Sequence, residues 1–512
     1  MSIKKKLIRN TMANYGIQLW TYVLNFVMMP IIIYFIGVVE YGIYLLVTAF
    51  IGYFGLLDLG IGRSLLKFIA EYHARKDKDK LNEVINTAFF IFLGIGIVGA
   101  IGLFIIGTFF IGIFNLEGDL LLKAKFIIYL LAITFITSFS LSTFKNIMEG
   151  IQRYDILAYI SFIISLVNIA VTVTVLLLGY GIVELLFYTI CFGLIGYVII
   201  TISVHKYLPY ITIKSSYLNR DMVRTLFGLS LFLLFFLIFA RIIYYTDTLV
   251  IGFYLGAAMI TFYTAAWKIS QIPNKAILMT LSATIPATSE LDALKKKKAL
   301  QLLFLRASKY CLGLLLLLGL PTLFMSKEIL KYWVGWTGGD FSLYHLVVNI
   351  LIVSLFFDFF NLVSFHILTG MNKIKFLITC YGVVAILNLI LSIVLVQKIG
   401  LEGVALGTAL PFIVMSPFFI WYTFRTIEIY WKDYITGVLF TTLPHALLMG
   451  LVLFLLTTLH KPNNLIEVGV YYIVGGTIYF LLFYFKGLNE NERADLKGIF
   501  KSIKYREDME IV

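Results

Sequence analysis

Apolar runs of about 20 residues or more recur along nearly the whole chain, and this repetition decides what it can fold into. A helix of 20 residues spans about 30 Å, the hydrocarbon thickness of a bilayer. Backbone crossing lipid must satisfy its own hydrogen bonds, so runs of this kind are read as helices. Fourteen are found, at 12–37, 42–66, 84–113, 122–147, 155–178, 182–205, 225–252, 257–286, 300–325, 342–369, 376–397, 402–424, 436–459 and 465–485. Only 13% of the 512 residues are charged, about half the share of a soluble domain. The predicted fold is therefore all-α integral membrane, with about 14 transmembrane helices. The start, "MSIKKKLIRN", looks like a signal-peptide n-region. The apolar run behind it is too long and has no small-residue cleavage site, so it is read as a retained first helix. Cys191, Cys311 and Cys380 all fall in predicted spans and suggest neither a disulfide framework nor a metal cluster.

The formal net charge of +13 is distributed unevenly. When the loops are assigned to alternating sides, most of the 41 Lys and Arg residues fall on the side holding both termini. The richest segments are "KKKLIR", "HARKDKDK", "LKKKK" and "KGIFKSIKYR", whereas the other side has minimal links such as "GVVE" and "YLGAA". The positive-inside rule then places both termini in the cytoplasm of a multi-pass protein of the cell inner (plasma) membrane. Basic runs arranged this way are topology signals assisted by anionic lipid, and no nucleic-acid partner is expected. Loops this short form no ATPase domain. The longest external segment, about 326–341, is too short for an enzyme domain.

The chain also repeats itself at an offset of about 219–220 residues. Tyr44 matches Tyr263, Glu71 matches Glu290, Lys76 matches Lys295, Gly150 matches Gly370 and Asn168 matches Asn388, all in order. Each copy holds six spans, an even number, so both copies enter the membrane in the same direction. The expected organisation is an N-lobe at 1–215, a C-lobe at 216–430 in parallel pseudo-repeat, and two further helices with a basic cytoplasmic tail at 431–512. Such architecture suits alternating access, with substrate bound near the midplane between lobes.

Ions inside these spans need a partner or a wet cavity, because a charge at a helix centre costs roughly 2.5–3.5 kcal/mol on insertion scales. "FGLLDLGIGRSLLKF" places Asp58 and Arg63 in the second predicted span. Five residues apart on a helix, they are about 140° apart and do not face each other. Asp58 is too short to reach the interface and is assigned to a cavity, while Arg63 has the length to snorkel. "FARIIYYTDTLVIGFYLG" sets Arg241 and Asp247 in the seventh span, Arg241 roughly 24 Å from its cytoplasmic start. Lys268 and Lys275 lie in the eighth. In the first span Thr11, Asn14, Gln18, Thr21 and Asn25 follow spacings of three and four and form one polar stripe. The candidate substrate-binding residues are therefore Arg241, Lys268, Asp247, Asp58, Arg63, Lys275, Asn14, Gln18 and Asn25. Cations outnumber carboxylates in this set, which suits an anionic substrate such as a phosphate or pyrophosphate headgroup. Asp358, Asn361 and His366 are further polar points in the tenth span. No nucleophile elbow, P-loop or metal-ligand motif is evident.

"VEYGIYLLVTAFIGYFGLLDLGIGRSLLKFIAEYHARKD" resembles the N-terminal signature of polysaccharide-biosynthesis flippases, and "RIIYYTDTLVIGFYLGAAMITFYTAAWKI" resembles the start of their second lobe. "GMNKIKF" and "LNLILSIVLVQKIGLEGVALGT" are similar to their later repeats. The family is the O-antigen, or lipid-linked oligosaccharide, flippases of the multidrug/oligosaccharidyl-lipid/polysaccharide exporter superfamily. The resemblance implies two six-helix lobes plus two helices, with spans 1, 2, 7 and 8 lining the centre. It implies transfer of a polyprenyl-pyrophosphate-linked oligosaccharide, a repeat unit of cell-surface polysaccharide, from the cytoplasmic to the outer leaflet. The lipid II branch typically carries arginines in the first span, where this chain has Asn14, Gln18 and Asn25. That departure favours a sugar-lipid of another pathway.

Two competitors stand beside this reading. A cation-coupled multidrug exporter shares the fold, but the basic balance of the cavity residues argues against it. A membrane oligosaccharide polymerase or ligase would need a large external loop, so the chain is read as a transporter and not an enzyme. No cofactor is expected; Asp58 and Asp247 are the candidates for holding a coupling sodium ion or proton. The expected partners are the lipid-linked oligosaccharide and membrane lipids. A monomer is the default, with polysaccharide polymerase machinery as a contact to test.

Overall fold

A computed structural model of the chain describes residues 3–227 and 231–494. The side chains of Asn14 and Gln18, and the basic tail beyond residue 494, lie outside the described residues. Every regular element among the described residues is helical. In chain order these are α1 (Ile3–Phe54), α2 (Ile61–Arg75), α3 (Lys78–Ile105), α4 (Gly118–Gly150), α5 (Tyr154–Leu177), α6 (Ile182–Tyr207), α7 (Arg220–Phe227) and α8 (Leu231–Tyr254). They continue with α9 (Ala257–Leu281), α10 (Thr284–Ala293), α11 (Lys297–Trp333), α12 (His345–Gly370), α13 (Ile374–Ile427), α14 (Trp431–Tyr434), α15 (Phe440–Leu459) and α16 (Leu465–Leu482).

Eleven helical stretches among the described residues are long and apolar enough to cross a membrane, and the chain is a multi-pass membrane protein. The difference from the fourteen predicted spans has local causes. Predicted spans 1 and 2 run together as α1, which bends at Gly37, where φ is +83°. Spans 11 and 12 run together as α13, which breaks at Ile399 and Gly400. Gly400 has φ +64°, a left-handed conformation that glycine adopts without a Cβ penalty. Past it the two halves of α13 fold back in contact. A Cβ on Gly403 would lie 2.3 Å from the Leu395 carbonyl oxygen, and one on Gly407 2.4 Å from Ser392 Oγ. α9, the eighth predicted span, falls outside the eleven; it carries Lys268, Lys275 and Pro273.

The second predicted span, 42–66, is corrected by the structure. Its helix ends at Phe54, a 3₁₀ turn occupies Gly55–Asp58, and Leu59 and Gly60 are both left-handed before α2 begins. Asp58 is therefore not inside a continuous helix. Its Oδ1 accepts the Gly62 amide at 3.2 Å, capping an otherwise unpaired donor at the start of α2.

Two compact units form, Met1–Phe262 with Thr337–Gly339, and Tyr263–Trp336 with Asp340–Val512. The first takes in α8 because α8 packs along α1. Its core lies where Ile61, Leu65 and Ile69 of α2 meet Leu81, Val84, Ile85, Ala88 and Phe92 of α3 and Phe144, Ile147 and Met148 of α4. The spacing of these residues is the helical period of one apolar stripe. A second face of α3 holds the segment that follows α6. Asn82 Nδ2 donates to the Tyr210 carbonyl (3.2 Å), and its Oδ1 accepts the Thr212 amide (3.0 Å). Asn86 repeats the pattern one turn on, donating to the Thr212 carbonyl (2.8 Å) and accepting the Lys214 amide (2.6 Å). Two buried asparagines thus pair an extended backbone much as a neighbouring strand would.

The second unit is built on α12 and α13, with α11 against α12 and the last two long helices, α15 and α16, against α11. Lys309 of α11 and Glu492 form an ion pair there at 2.7 Å, both side chains almost fully buried.

Candidate functional site

The first unit contains a polar seam where α1 meets α8, and glycine makes it. A Cβ on Gly52 would fall 2.3 Å from Tyr245 Cε1, so the Tyr245 ring rests on the α1 backbone itself. One turn on, a Cβ at Gly55 would lie 3.5 Å from Arg241 Nη2. Arg241 Nη1 donates to the Tyr245 hydroxyl at 3.1 Å, and its guanidinium carbon stands 5.4 Å from the Tyr245 ring centroid. The Tyr53 and Thr246 hydroxyls are 2.6 Å apart, and the Tyr53 and Tyr245 rings are 6.0 Å apart. Asp247, beside Thr246, is 5% exposed.

Arg241 sits near the middle of α8, in a helix otherwise rich in Leu, Phe and Ile. It forms no ion pair among the described residues. Arg241 is half-buried, and a hydrogen bond and a cation–π contact to one tyrosine use only part of the five donors of its guanidinium. Such a cation is held in place with unspent capacity for an anion.

The other predicted residues separate around this seam. Asp58 ends the same 3₁₀ turn that α8 packs on, and it serves as the cap described above. Asn146 of α4 comes near the start of α2, where a Cβ on Gly62 would meet both Asp58 Oδ1 (3.3 Å) and Asn146 Nδ2 (3.7 Å). Arg63 is exposed on α2, away from its buried Ile61, Leu65 and Ile69. Lys268 is half-buried and Lys275 exposed; both stand on α9 in the second unit.

Asn25 belongs to a separate cavity of about 310 Å³ in the first unit, lined also by Thr21, Tyr41, Tyr44, Asn168 and Thr172. Thr21 Oγ1 bonds back to the Ile17 carbonyl (2.8 Å) and Asn25 Nδ2 to the Thr21 carbonyl (2.9 Å). The polar stripe is thus partly satisfied on its own helix. Among the described residues, the lining carries no charged side chain.

In the second unit Asp358 of α12 is 8% exposed. Its Oδ1 accepts from Asn361 Nδ2 at 3.2 Å, and the same Asn361 nitrogen lies 3.4 Å from the Phe412 carbonyl.

Sequence reasoning missed Tyr53, Tyr245 and Thr246. The signal present in the sequence was the Gly52–Gly55 pair, whose spacing marks a helix face open to close approach.

Comparison with known proteins follows this geometry. The family described as "Polysaccharide biosynthesis protein" matches residues 7–292. A "Putative O-antigen transporter" of Shigella flexneri is 24% identical over 415 residues, covering 77% of this chain and 92% of that protein. Among solved structures, the lipid II flippase MurJ in an inward closed conformation aligns with a TM-score of 0.71 at 17% identity, over 98% of this chain and all of that one. An inward-facing multidrug resistance transporter of the MATE family, in the MOP superfamily, aligns with a TM-score of 0.62 at 15% identity, over 82% of this chain and 94% of that one. At these identities the solved structures establish a shared all-helical fold. With the family match covering more than half of its length, the chain belongs to the polysaccharide biosynthesis protein family.

Proposed function

We propose that the protein moves a polyprenyl-pyrophosphate-linked oligosaccharide from the cytoplasmic to the outer leaflet of the plasma membrane by alternating access. The observation that carries this reading is Arg241, a cation at mid-helix, fixed by Tyr245 and without a carboxylate partner among the described residues. Arginine presents a planar fork of donors that matches phosphate oxygens. Arg241 is assigned to the pyrophosphate, with Lys268 and Lys275 as the cationic candidates of the second unit. The neutral cavity that includes Asn25, Tyr41, Tyr44 and Asn168 offers amides, hydroxyls and aromatic faces suited to sugar hydroxyls. The name of the Shigella relative supports the same substrate class.

A second reading, cation-coupled drug export, draws on the buried carboxylates Asp247 and Asp358 and on the MATE fold neighbour. The two are separated by presenting both substrates to the same proteoliposomes. Under our reading, protein-dependent movement of the lipid-linked oligosaccharide occurs and a cationic dye is not exported down an imposed proton or sodium gradient. Dye export without lipid movement transfers the protein to the exporter class.

A further inference from the structure

The cavity of about 310 Å³ in the first unit carries more information than its polarity alone. Both halves of α1 line it, Thr21 and Asn25 before the bend at Gly37 and Tyr41 and Tyr44 after it, and α5 and α6 complete the wall. Some of its polar groups are already engaged. Ser165 Oγ accepts from Trp20 Nε1 at 2.8 Å and donates to the Phe162 carbonyl at 2.6 Å. Thr189 Oγ1 donates to the Leu185 carbonyl at 2.9 Å. Others are not engaged: among the described residues the Tyr41, Tyr44 and Thr172 hydroxyls make no hydrogen bond.

Asn168 of α5 is the most telling of these. Its Oδ1 is buried and has no hydrogen-bond partner among the described residues, although the side chain belongs to the lining. A buried amide oxygen left unpaired costs about 1–3 kcal/mol. Turning the amide about its last bond exchanges oxygen and nitrogen, so either end can be presented to the cavity without breaking a bond. A hydroxyl both donates and accepts, and therefore suits such an amide in either orientation.

The surroundings select against charge. No lining side chain among the described residues is ionic, so a carboxylate or phosphate placed here would be desolvated without a counter-ion. The nearby ionic groups are mostly acidic. Glu40, next to Tyr41, pairs with Lys123 at 2.6 Å, and the same Lys123 holds Asp119 at 2.8 Å. Glu184, next to Leu185, accepts the Gly181 amide at 3.1 Å. A Cβ on Gly181 would lie 3.4 Å from Glu184 Oε2 and 3.6 Å from Glu40 Oε2, so both carboxylates flank the lining beside Ile182.

We propose that this cavity binds one uncharged sugar unit of the lipid-linked saccharide, with Asn168 as the specificity-determining residue, and that it rejects sugars bearing a carboxylate or phosphate. The inference rests on the transport reading above and deepens it by naming the sugar class.

The test is native mass spectrometry of the full chain in detergent, titrated with three matched lipids. These are polyprenyl pyrophosphate carrying a neutral disaccharide, the same lipid with one hexose oxidised to a uronic acid, and polyprenyl pyrophosphate without sugar. The wild type is expected to retain the neutral disaccharide lipid roughly tenfold more tightly than either of the others, the scale of one or two net hydrogen bonds. Asn168→Leu is expected to bring the neutral lipid down to the affinity of the sugar-free one. It removes an amide whose oxygen bonds to nothing among the described residues, so its thermal midpoint should stay near that of the wild type. Tyr44→Phe deletes one hydroxyl, keeps the ring, and should show a smaller loss for the neutral lipid alone. A neutral disaccharide bound no better than the sugar-free lipid, or bound equally by wild type, Asn168→Leu and Tyr44→Phe, overturns the inference and leaves the transport reading standing. Retention of the uronic acid lipid as tight as that of the neutral one overturns the rejection of charge. Failure of the wild type to bind any of the three overturns the transport reading itself, and this inference with it.

Discussion

Removing the Asn86 amide should release the segment after α6 by a calculable amount. Asn86 is fully buried on α3 and makes two bonds to that segment, to the Thr212 carbonyl at 2.8 Å and from the Lys214 amide at 2.6 Å. Each such bond contributes about 1 kcal/mol net. Thr212 and Lys214 are themselves exposed, so water replaces part of what Asn86→Ala removes, and the low end of the range applies. At that low end, about 0.5 kcal/mol per bond, the sum is about 1 kcal/mol, which corresponds to roughly a fivefold increase in local opening. The segment does not leave altogether, because Ile211 remains buried in the core of α2, α3 and α4 and Asn82 still holds Thr212. Hydrogen exchange on detergent-solubilised protein reads this directly. Exchange at Lys214 should accelerate by roughly that factor, with α3 itself little changed. Exchange at Lys214 within about twofold of wild type would refute the reasoning, because it would mean the asparagine bonds do not hold the segment.

Three further outcomes follow from the α1–α8 seam and the break beside it. Gly52→Val should displace the Tyr245 ring, which lies 2.3 Å from where the new Cβ would stand; a loss of about 1–3 kcal/mol is expected from overpacking, read as a lowered thermal midpoint in detergent. Asp58→Asn keeps the acceptor that caps α2 and should retain folding and transport, whereas Asp58→Leu should cost about 1 kcal/mol; transport lost in a folded Asp58→Asn would instead show that the charge itself is needed. Tyr245→Phe removes the hydroxyl that Arg241 donates to but keeps the ring beneath it. It should lower transport less than Arg241→Ala does, in the same proteoliposome assay.

The middle spans of the first unit were readable because nothing interrupts them. α4, α5 and α6 cover the runs predicted at 122–147, 155–178 and 182–205 with only small shifts at their ends, and Asp77 and Glu184 supply ordinary N-terminal caps to α3 and α6. The break at Gly55–Gly60 was not readable, since "GLLDLG" is mostly residues a helix tolerates and the reversal rests on Leu59 adopting φ +50°. Tertiary contacts with α3 and α8 give that turn its neighbours. The same holds for the seam: Arg241 stood out as a charge among apolar residues, whereas Tyr53, Tyr245 and Thr246 look like any aromatic or threonine in a membrane helix. Asn82 and Asn86 were passed over because their partners are backbone groups some 130 residues away, and periodicity carries no trace of such pairing.

The most direct test is a leaflet-accessibility assay in proteoliposomes loaded with a polyprenyl-pyrophosphate oligosaccharide, comparing wild type, Arg241→Lys and Arg241→Ala. Protein-dependent movement of the lipid is expected for the wild type, reduced in Arg241→Lys, where a point charge replaces the phosphate-matching fork, and lost in folded Arg241→Ala. Wild-type rates in Arg241→Ala, or no movement by the wild type with several such lipids, would contradict the assignment of this arginine to the pyrophosphate and of the protein to lipid-linked oligosaccharide transfer, respectively.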